Sequence, residues 1–295
     1  MPYMQKIGKT KDKKIIVIDK YYSFTARPWG KKLADVRNPQ TKESPEDLKK
    51  RNKKRATERT ALMIANNFEE GCPYLTITYT NENRPKGEDA EKKVKNDLRN
   101  FEARLKRYYL RKGIVLKYAA TVENVAADCR GHAHAHLLLS ALPEVKTDRE
   151  YERIFSEIWG KGFVRVIQYG GEMIDANRLA AYFLKQNKAD GGARMSFSQN
   201  CEKPVEKKKE IRSANCFSEK IDVPAGYFVN KELTFQGLTR DGYPCQHIIL
   251  ERCKNTDRRY WDFAKGDYCE RRGRLGKKQK GRNRKKVLPK QGSAL

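Results

Sequence analysis

The chain is poor in apolar sequence, in acid and in histidine, and each shortage narrows what it can be. Hydrophobic residues fill 38% of the 295 positions and charged residues 34%. No run approaches the roughly 20 apolar residues that a membrane-spanning helix needs, so no membrane partner is expected. No apolar leader follows Met1; the opening residues are basic, relieved only by Ile15-Ile16-Val17-Ile18, and a cytoplasmic protein is expected. Asp and Glu number 37 against 64 Lys and Arg, a formal net charge of +27. An excess of that size points to a polyanionic partner, most often nucleic acid. The seven cysteines are odd in number and include no Cys-x-x-Cys pair. Free thiols are therefore the default, with neither a disulfide framework nor a common zinc finger. A Gly-x-x-x-x-Gly-Lys-Ser/Thr loop is absent, which leaves any helicase motor to another protein.

Histidine occurs four times, and three of the four stand at alternate positions in Gly131-His132-Ala133-His134-Ala135-His136-Leu137-Leu138-Leu139-Ser140; the fourth is His247. The apolar run that follows the histidines reads as a buried strand. Side chains alternate along a strand, so His132, His134 and His136 share one face. Neighbours on such a face are roughly 7 Å apart, close enough for two imidazoles to share a metal ion. The pattern alone leaves open a zinc hydrolase site, a nuclease site and a polar strand face without metal.

Residues 1–43 read as a basic, irregular arm. Within it Tyr21-Tyr22-Ser23-Phe24 and Arg27-Pro28-Trp29-Gly30-Lys31-Lys32 interleave aromatics with cations. That mixture suits base stacking and phosphate contact, and makes Arg27, Trp29, Lys31 and Lys32 candidate DNA contacts. Ser44-Pro45-Glu46-Asp47 signals a helix start. The helix runs to about Phe68 and carries Lys53, Lys54 and Arg55, which could track a phosphate backbone. A strand over 74–80, a helix over 88–111 and a strand over 114–123 lead to the histidine strand. Thr147-x-x-Glu150 is a capping box for the next helix. A strand over 163–169 and a helix from Ala176 to about Lys188 follow. The order β-α-β-β-α-β-α predicts an α+β fold with an antiparallel sheet and helices on one face, of the RRM-like or ferredoxin-like kind. Beyond Asn200 the texture changes. Residues 202–212 read as a charged linker, and 227–235 with 243–250 as a hairpin around Arg240-Asp241-Gly242. The tail over 271–290 cannot bury a core and is expected to be disordered unless bound to nucleic acid. The expected segments are 1–70, 71–200, 201–255 and 256–295.

Tyr182-Phe183-Leu184-Lys185 falls on the last expected helix. Leu179, Phe183 and Leu184 form its packed stripe, and Tyr182 with Lys185, at i and i+3, share a different face. A phenol is a weak nucleophile at neutral pH, and a neighbouring cation helps its phenolate form. Taken alone, the pair reads as an ordinary surface tyrosine beside an ordinary lysine.

Together these segments resemble the HUH endonuclease superfamily (His-hydrophobic-His). Within it they are similar to the rolling-circle replication initiators and replication-associated proteins of bacterial phages, plasmids and integrative elements. His134-Ala135-His136-Leu137 resembles the histidine pair, and Tyr182-Phe183-Leu184-Lys185 the nucleophile motif. Leu75-Thr76-Ile77-Thr78-Tyr79 looks like the first family motif, and the three occur in the family's order. Tyr22-Ser23, the basic helix and Ser196-Phe197-Ser198-Gln199-Asn200 also look like family segments. Gln186 stands where many relatives carry a second tyrosine, which implies a single-tyrosine enzyme. Ala135 is small for the middle position, and His132/His134 remains an alternative register to His134/His136.

The resemblance implies a divalent ion, Mg²⁺ or Mn²⁺, held by His134, His136 and Glu123, with His132 or Glu102 as the alternative third ligand. Such an ion polarises a phosphate as a Lewis acid. The resemblance further implies that Tyr182 attacks single-stranded or extruded origin DNA. A 5′-phosphotyrosine link and a free 3′-hydroxyl would result, with Lys185 steadying the phosphate. A host polymerase and helicase in a bacterial cytoplasm are the expected partners. Other readings are a single-tyrosine HUH transposase, a relaxase using Tyr21 or Tyr22, and a non-catalytic nucleic-acid-binding protein with structural histidines.

Overall fold

The computed structural model describes residues 3–23, 44–123, 133–185, 195–211, 217–239, 242–253 and 258–269. In chain order the elements begin with β1 (Tyr3–Lys9), β2 (Ile15–Tyr22), α1 (Pro45–Asn67), β3 (Pro73–Thr78), α2 (Ala90–Arg111) and β4 (Tyr118–Glu123). Next come β5 (His134–Leu139), α3 (Asp148–Trp159), β6 (Val164–Gln168), α4 (Met173–Lys185), β7 (Ser196–Phe197) and β8 (Val205–Ile211). The last are β9 (Lys220–Val223), β10 (Tyr227–Val229), β11 (Phe235–Leu238), β12 (Pro244–Arg252), β13 (Arg259–Asp262) and β14 (Asp267–Cys269).

The histidine strand β5 is the centre of a five-stranded antiparallel sheet ordered β6-β3-β5-β4-β7. A central strand is covered on both faces, which is why its second half is apolar at every position. On one face Leu75, Ile77, Val122, Leu137, Leu139 and Val166 pack under α2 and α3 through Phe101, Leu105, Phe155 and Trp159. On the other, Ala119 and Leu138 meet α1 and α4 through Leu62, Ile64, Ala180 and Phe183. Helices thus lie on both faces of the sheet, and α4 hangs over the face that carries the histidines. Phe183 is wholly buried. Burial of such a side chain stabilises by about 1.5–3 kcal/mol and pins the helix that presents Tyr182.

Local signals set the starts of α1 and α3. Ser44 Oγ accepts from Asp47 N at 3.1 Å, with Pro45 in the first turn. Thr147 and Glu150 close the capping box of α3. The start of α4 is different. It begins at Met173, and Met173 N donates to Glu251 Oε2 of β12 at 3.2 Å. An acid from a distant strand complements the helix N-terminus, together with Asp175 in the first turn, so the helix starts before Ala176, where the sequence places its start.

The stretch read as an irregular arm contains a hairpin, β1 with β2, at the heart of a second sheet ordered β10-β12-β2-β1-β8, with β11 also on β12. Ile15 and Val17 face the α1 layer, while Ile16 and Ile18 pack toward Trp261 and Ile248. With both faces covered, the run shows no alternation to read. The expected linker over 202–212 contains β8, an edge strand on β1 whose Glu206 pairs with Lys6 at 2.7 Å. Its side chains face solvent, so only main-chain bonding marks it as a strand. The hairpin between β11 and β12 forms as expected, but the strand read over 227–235 is two, β10 and β11. Asn230 breaks it: its Oδ1 accepts from Leu233 N and its carbonyl from Thr234 N. A third sheet, β14-β13-β9, closes the C-terminal side. Among the described residues, Cys72, Cys201, Cys245 and Cys269 are free thiols. Among the described residues no helix is long and apolar enough to cross a membrane.

Gly162 sets the approach of β6 to β3. A Cβ there would collide with the Thr78 carbonyl oxygen and the Tyr79 backbone. Gly162→Ala is expected to lower unfolding stability by about 1–3 kcal/mol through overpacking. A urea titration with an unchanged midpoint would contradict this close approach.

Candidate active site

Register decides which residues share the histidine face. His136 pairs with Thr76 on β3 and Thr121 on β4, and His134 with Thr78 and Glu123. Directly paired residues project to the same face, so the threonines surround the two imidazoles. The His134 and His136 ring centroids are 5.0 Å apart, with planes 86° apart. Tyr182 descends from α4 onto this face: its hydroxyl lies 3.0 Å from His136 Nε2.

The other ring nitrogen of His136 is held as tightly. Nδ1 lies 3.0 Å from Tyr74 Oη and 3.1 Å from Thr76 Oγ1. Tyr74 also stacks on the imidazole, centroids 5.8 Å apart and planes within 5°. With its proton on Nδ1 the ring donates toward these oxygens. Nε2 then keeps a lone pair that accepts from Tyr182. That is the tautomer a metal ligand at Nε2 needs, and the oxygens behind Nδ1 fix the ring's orientation. Burial, then the neighbouring His134, pulls the His136 imidazole down to about 4. It is neutral at pH 7, as a ligand must be.

The same burial argues against His136 as the base that deprotonates a tyrosine, because it leaves the imidazole too weakly basic to take a proton from an ordinary phenol. A nearby positive charge would be a more effective aid to ionisation.

The described residues supply part of a donor set for a divalent cation. Two neutral-capable imidazoles lie on one strand face, and Thr121 Oγ1, across from His136, is buried without a hydrogen-bond partner. An unsatisfied buried hydroxyl costs about 1–3 kcal/mol, and a polar guest at the site would relieve it. Among the described residues no three His, Cys, Asp or Glu side chains gather as a ligand set. The Glu123 side chain lies outside the described residues; its backbone stands directly opposite His134. The Lys185 side chain and His132 also lie outside them. Glu102 does not join the histidines: it hangs from α2, beneath the opposite face of the sheet, and accepts from Tyr118 Oη at 3.2 Å. Burial raises its carboxyl above the ordinary range.

The other proposed contacts are scattered. Arg27, Trp29, Lys31 and Lys32 lie outside the described residues, as does the tail over 271–290. Lys53, Lys54 and Arg55 lie on the exposed first half of α1, where the Lys54 ammonium sits 3.8 Å above the Phe235 ring. Tyr22 is buried in the second sheet, stacked on Tyr243 at 4.1 Å. His247 is there too, bonded to Asp19 at 2.5 Å. Tyr74 is a site residue that motif reading did not single out, and Thr76 was read as part of the first motif without a role at the histidines. The signal was present, because in Tyr74-Leu75-Thr76-Ile77-Thr78 the polar residues alternate with the buried ones.

Residues 72–187 match the family model of replication-associated protein ORF2/G2P. The match covers less than half of the chain, and it contains β3, β4, β5, β6 and α4, the elements that build the site. Over this stretch the chain is similar to replication-associated proteins. No curated protein and no solved structure matches it.

Proposed function

We propose that the protein initiates DNA replication by nicking a single strand, with Tyr182 as the nucleophile and His134 and His136 as ligands of a Mg²⁺ or Mn²⁺ ion. The observation that carries this is the 3.0 Å approach of the Tyr182 hydroxyl to His136 Nε2. It puts an activatable oxygen beside the nitrogen that would hold the ion. Tyr74 approaches the same imidazole, but from Nδ1, packed between that ring and Phe183. Tyr182 is 36% exposed and so stands open to a polymer arriving from solvent.

When bound, the ion would supply Lewis-acid polarisation of the scissile phosphate. The protein's own groups do the rest. Tyr182 Oη attacks phosphorus in line, forming a phosphotyrosine with the 5′ side as the bond to the 3′ oxygen breaks. The phenolic proton is lost to solvent, and the leaving 3′ oxygen takes up one. Tyr74 and Thr76 keep the imidazole ring from rotating, and Glu123, opposite His134, is the candidate third ligand. Lys185, three residues after Tyr182, is the candidate cation for the phosphate. The free 3′-hydroxyl would prime a host polymerase, with a host helicase opening the duplex. The setting proposed is the cytoplasm of a bacterial host. A relaxase order using Tyr22 is disfavoured by the burial of that ring against Tyr243 in the second sheet.

The test uses a labelled origin-bearing single strand, the same sequence as duplex, and Mn²⁺ with or without excess chelator. The expected outcome is cleavage of the single strand alone, abolished by chelator, leaving a 3′ end that a polymerase extends. Cleavage that survives chelation, or a 3′-phosphate product, would contradict the mechanism.

A further inference from the structure

We propose that the edge strand β6 grips the single strand beside the cut: Arg165 holds a phosphate flanking the scissile one, and Phe163 stacks an adjacent base. The proposal rests on the single-strand reading above and adds residues and a path to it. Thr121, His136, Thr76 and Arg165 form one continuous row across β4, β5, β3 and β6. Paired residues share a face, so Arg165 lies on the histidine face. Two strand spacings separate it from His136, about 10 Å, which a long side chain and one nucleotide step bridge. In the next row His134 pairs with Thr78, and Thr78 N donates to the Phe163 carbonyl at 2.9 Å.

The chemistry of this edge is unusual for a solvated strand. Phe163 is 72% exposed and Ile167 54%. Between them Arg165 is exposed and forms no ion pair among the described residues. The intervening Val164 and Val166 are buried in the core. The alternation therefore reads core, solvent, core, with the solvent face made of an aromatic, a guanidinium and an aliphatic. Edge strands are ordinarily blunted by charge on that face. An aromatic beside a cation is instead the pairing that binds bases and phosphates together.

Strand addition by another protein is the competing use of such an edge, and the main chain disfavours it. Val166 N, the outward donor at the middle of the strand, already donates to Glu152 Oε1 of α3 at 3.1 Å. A formal charge of +27 and the exposed guanidinium favour a polyanion over an apolar protein surface.

The test measures binding apart from cutting. Full-length Tyr182→Phe protein, without divalent metal, is titrated against a fluorescein-labelled mixed-sequence 12-mer and against its duplex, by anisotropy. Adding Phe163→Ala is expected to weaken single-strand affinity about 5- to 100-fold, and Phe163→Trp to preserve it. Adding Arg165→Ala should reduce the slope of log affinity against log salt by about 0.7, and Arg165→Lys should retain it. Duplex affinity should be unchanged in all four. Parent-like single-strand binding by both alanine variants, or equal losses on duplex, would overturn the proposal. Failure of the wild-type protein to nick would sink the catalytic reading alone, since the anisotropy result does not depend on cleavage.

Discussion

Tyr182→Phe is expected to leave an origin-bearing single strand uncut, with no covalent protein–DNA band on a denaturing gel. The substitution removes one oxygen and its bond to His136 Nε2. The net worth of such a bond is about 0.5–1.5 kcal/mol, so folding stability moves little. The ring itself stays half in contact with the imidazole, centroids 5.0 Å apart in the native protein. The chemical loss is far larger. Removal of a covalent nucleophile costs on the order of 10⁴-fold or more in rate, because no other group inherits its trajectory. A melting temperature close to wild type with no detectable cleavage is the expected pair of results. Cleavage within tenfold of wild type would remove Tyr182 from the chemistry.

The second large effect is expected from the histidine pair. His134→Ala with His136→Ala should abolish cleavage at any Mn²⁺ or Mg²⁺ concentration and remove Mn²⁺ binding as read by electron paramagnetic resonance. Affinity for single-stranded DNA should stay within about twofold, because phosphate contacts elsewhere supply most of it. The two substitutions differ in structural cost. His136 is 4% exposed and meets Tyr74, Thr76 and Tyr182. Its truncation removes these hydrogen bonds from a buried position, a loss of about 1–3 kcal/mol. His134 is less buried, so His134→Ala alone should melt near wild type and still fail to cleave. Retained cleavage by a folded double variant would remove the histidines from the site.

These two effects concern the most legible part of the chain. Alternating histidines before an apolar run specify both a strand and a shared face, since the period is fixed by the pleat. The placement of Tyr182 was legible in part: Leu179 and Phe183 lie on the packed side of α4 as expected, with Met173, Ala176 and Ala180, whereas Leu184 is outside that core. Tyr74 and Thr76 were half-legible: their alternation was visible, but their target, Nδ1 of His136, lies on another strand. Elements held together by distant pairing were not legible. Val205–Ile211 buries almost nothing and is a strand because β1 lies beside it. Ile15–Ile18 hides its register because both faces are covered. The first turn of α4 depends on Glu251, far away in sequence. Phe163 and Arg165 look unremarkable in a row of residues. Only the register of β3 against β5 and β6 carries them to the histidine face.

The most direct measurement is the identity of the residue that carries the DNA. Wild-type protein is allowed to cleave the single strand in Mn²⁺, the adduct is digested, and the nucleotide-bearing peptide is sequenced by mass spectrometry. The account predicts that the nucleotide sits on Tyr182, joined through a 5′-phosphate. An adduct on Tyr74, Tyr21, Tyr22 or Tyr169, or a cleaved strand with no adduct, would contradict it.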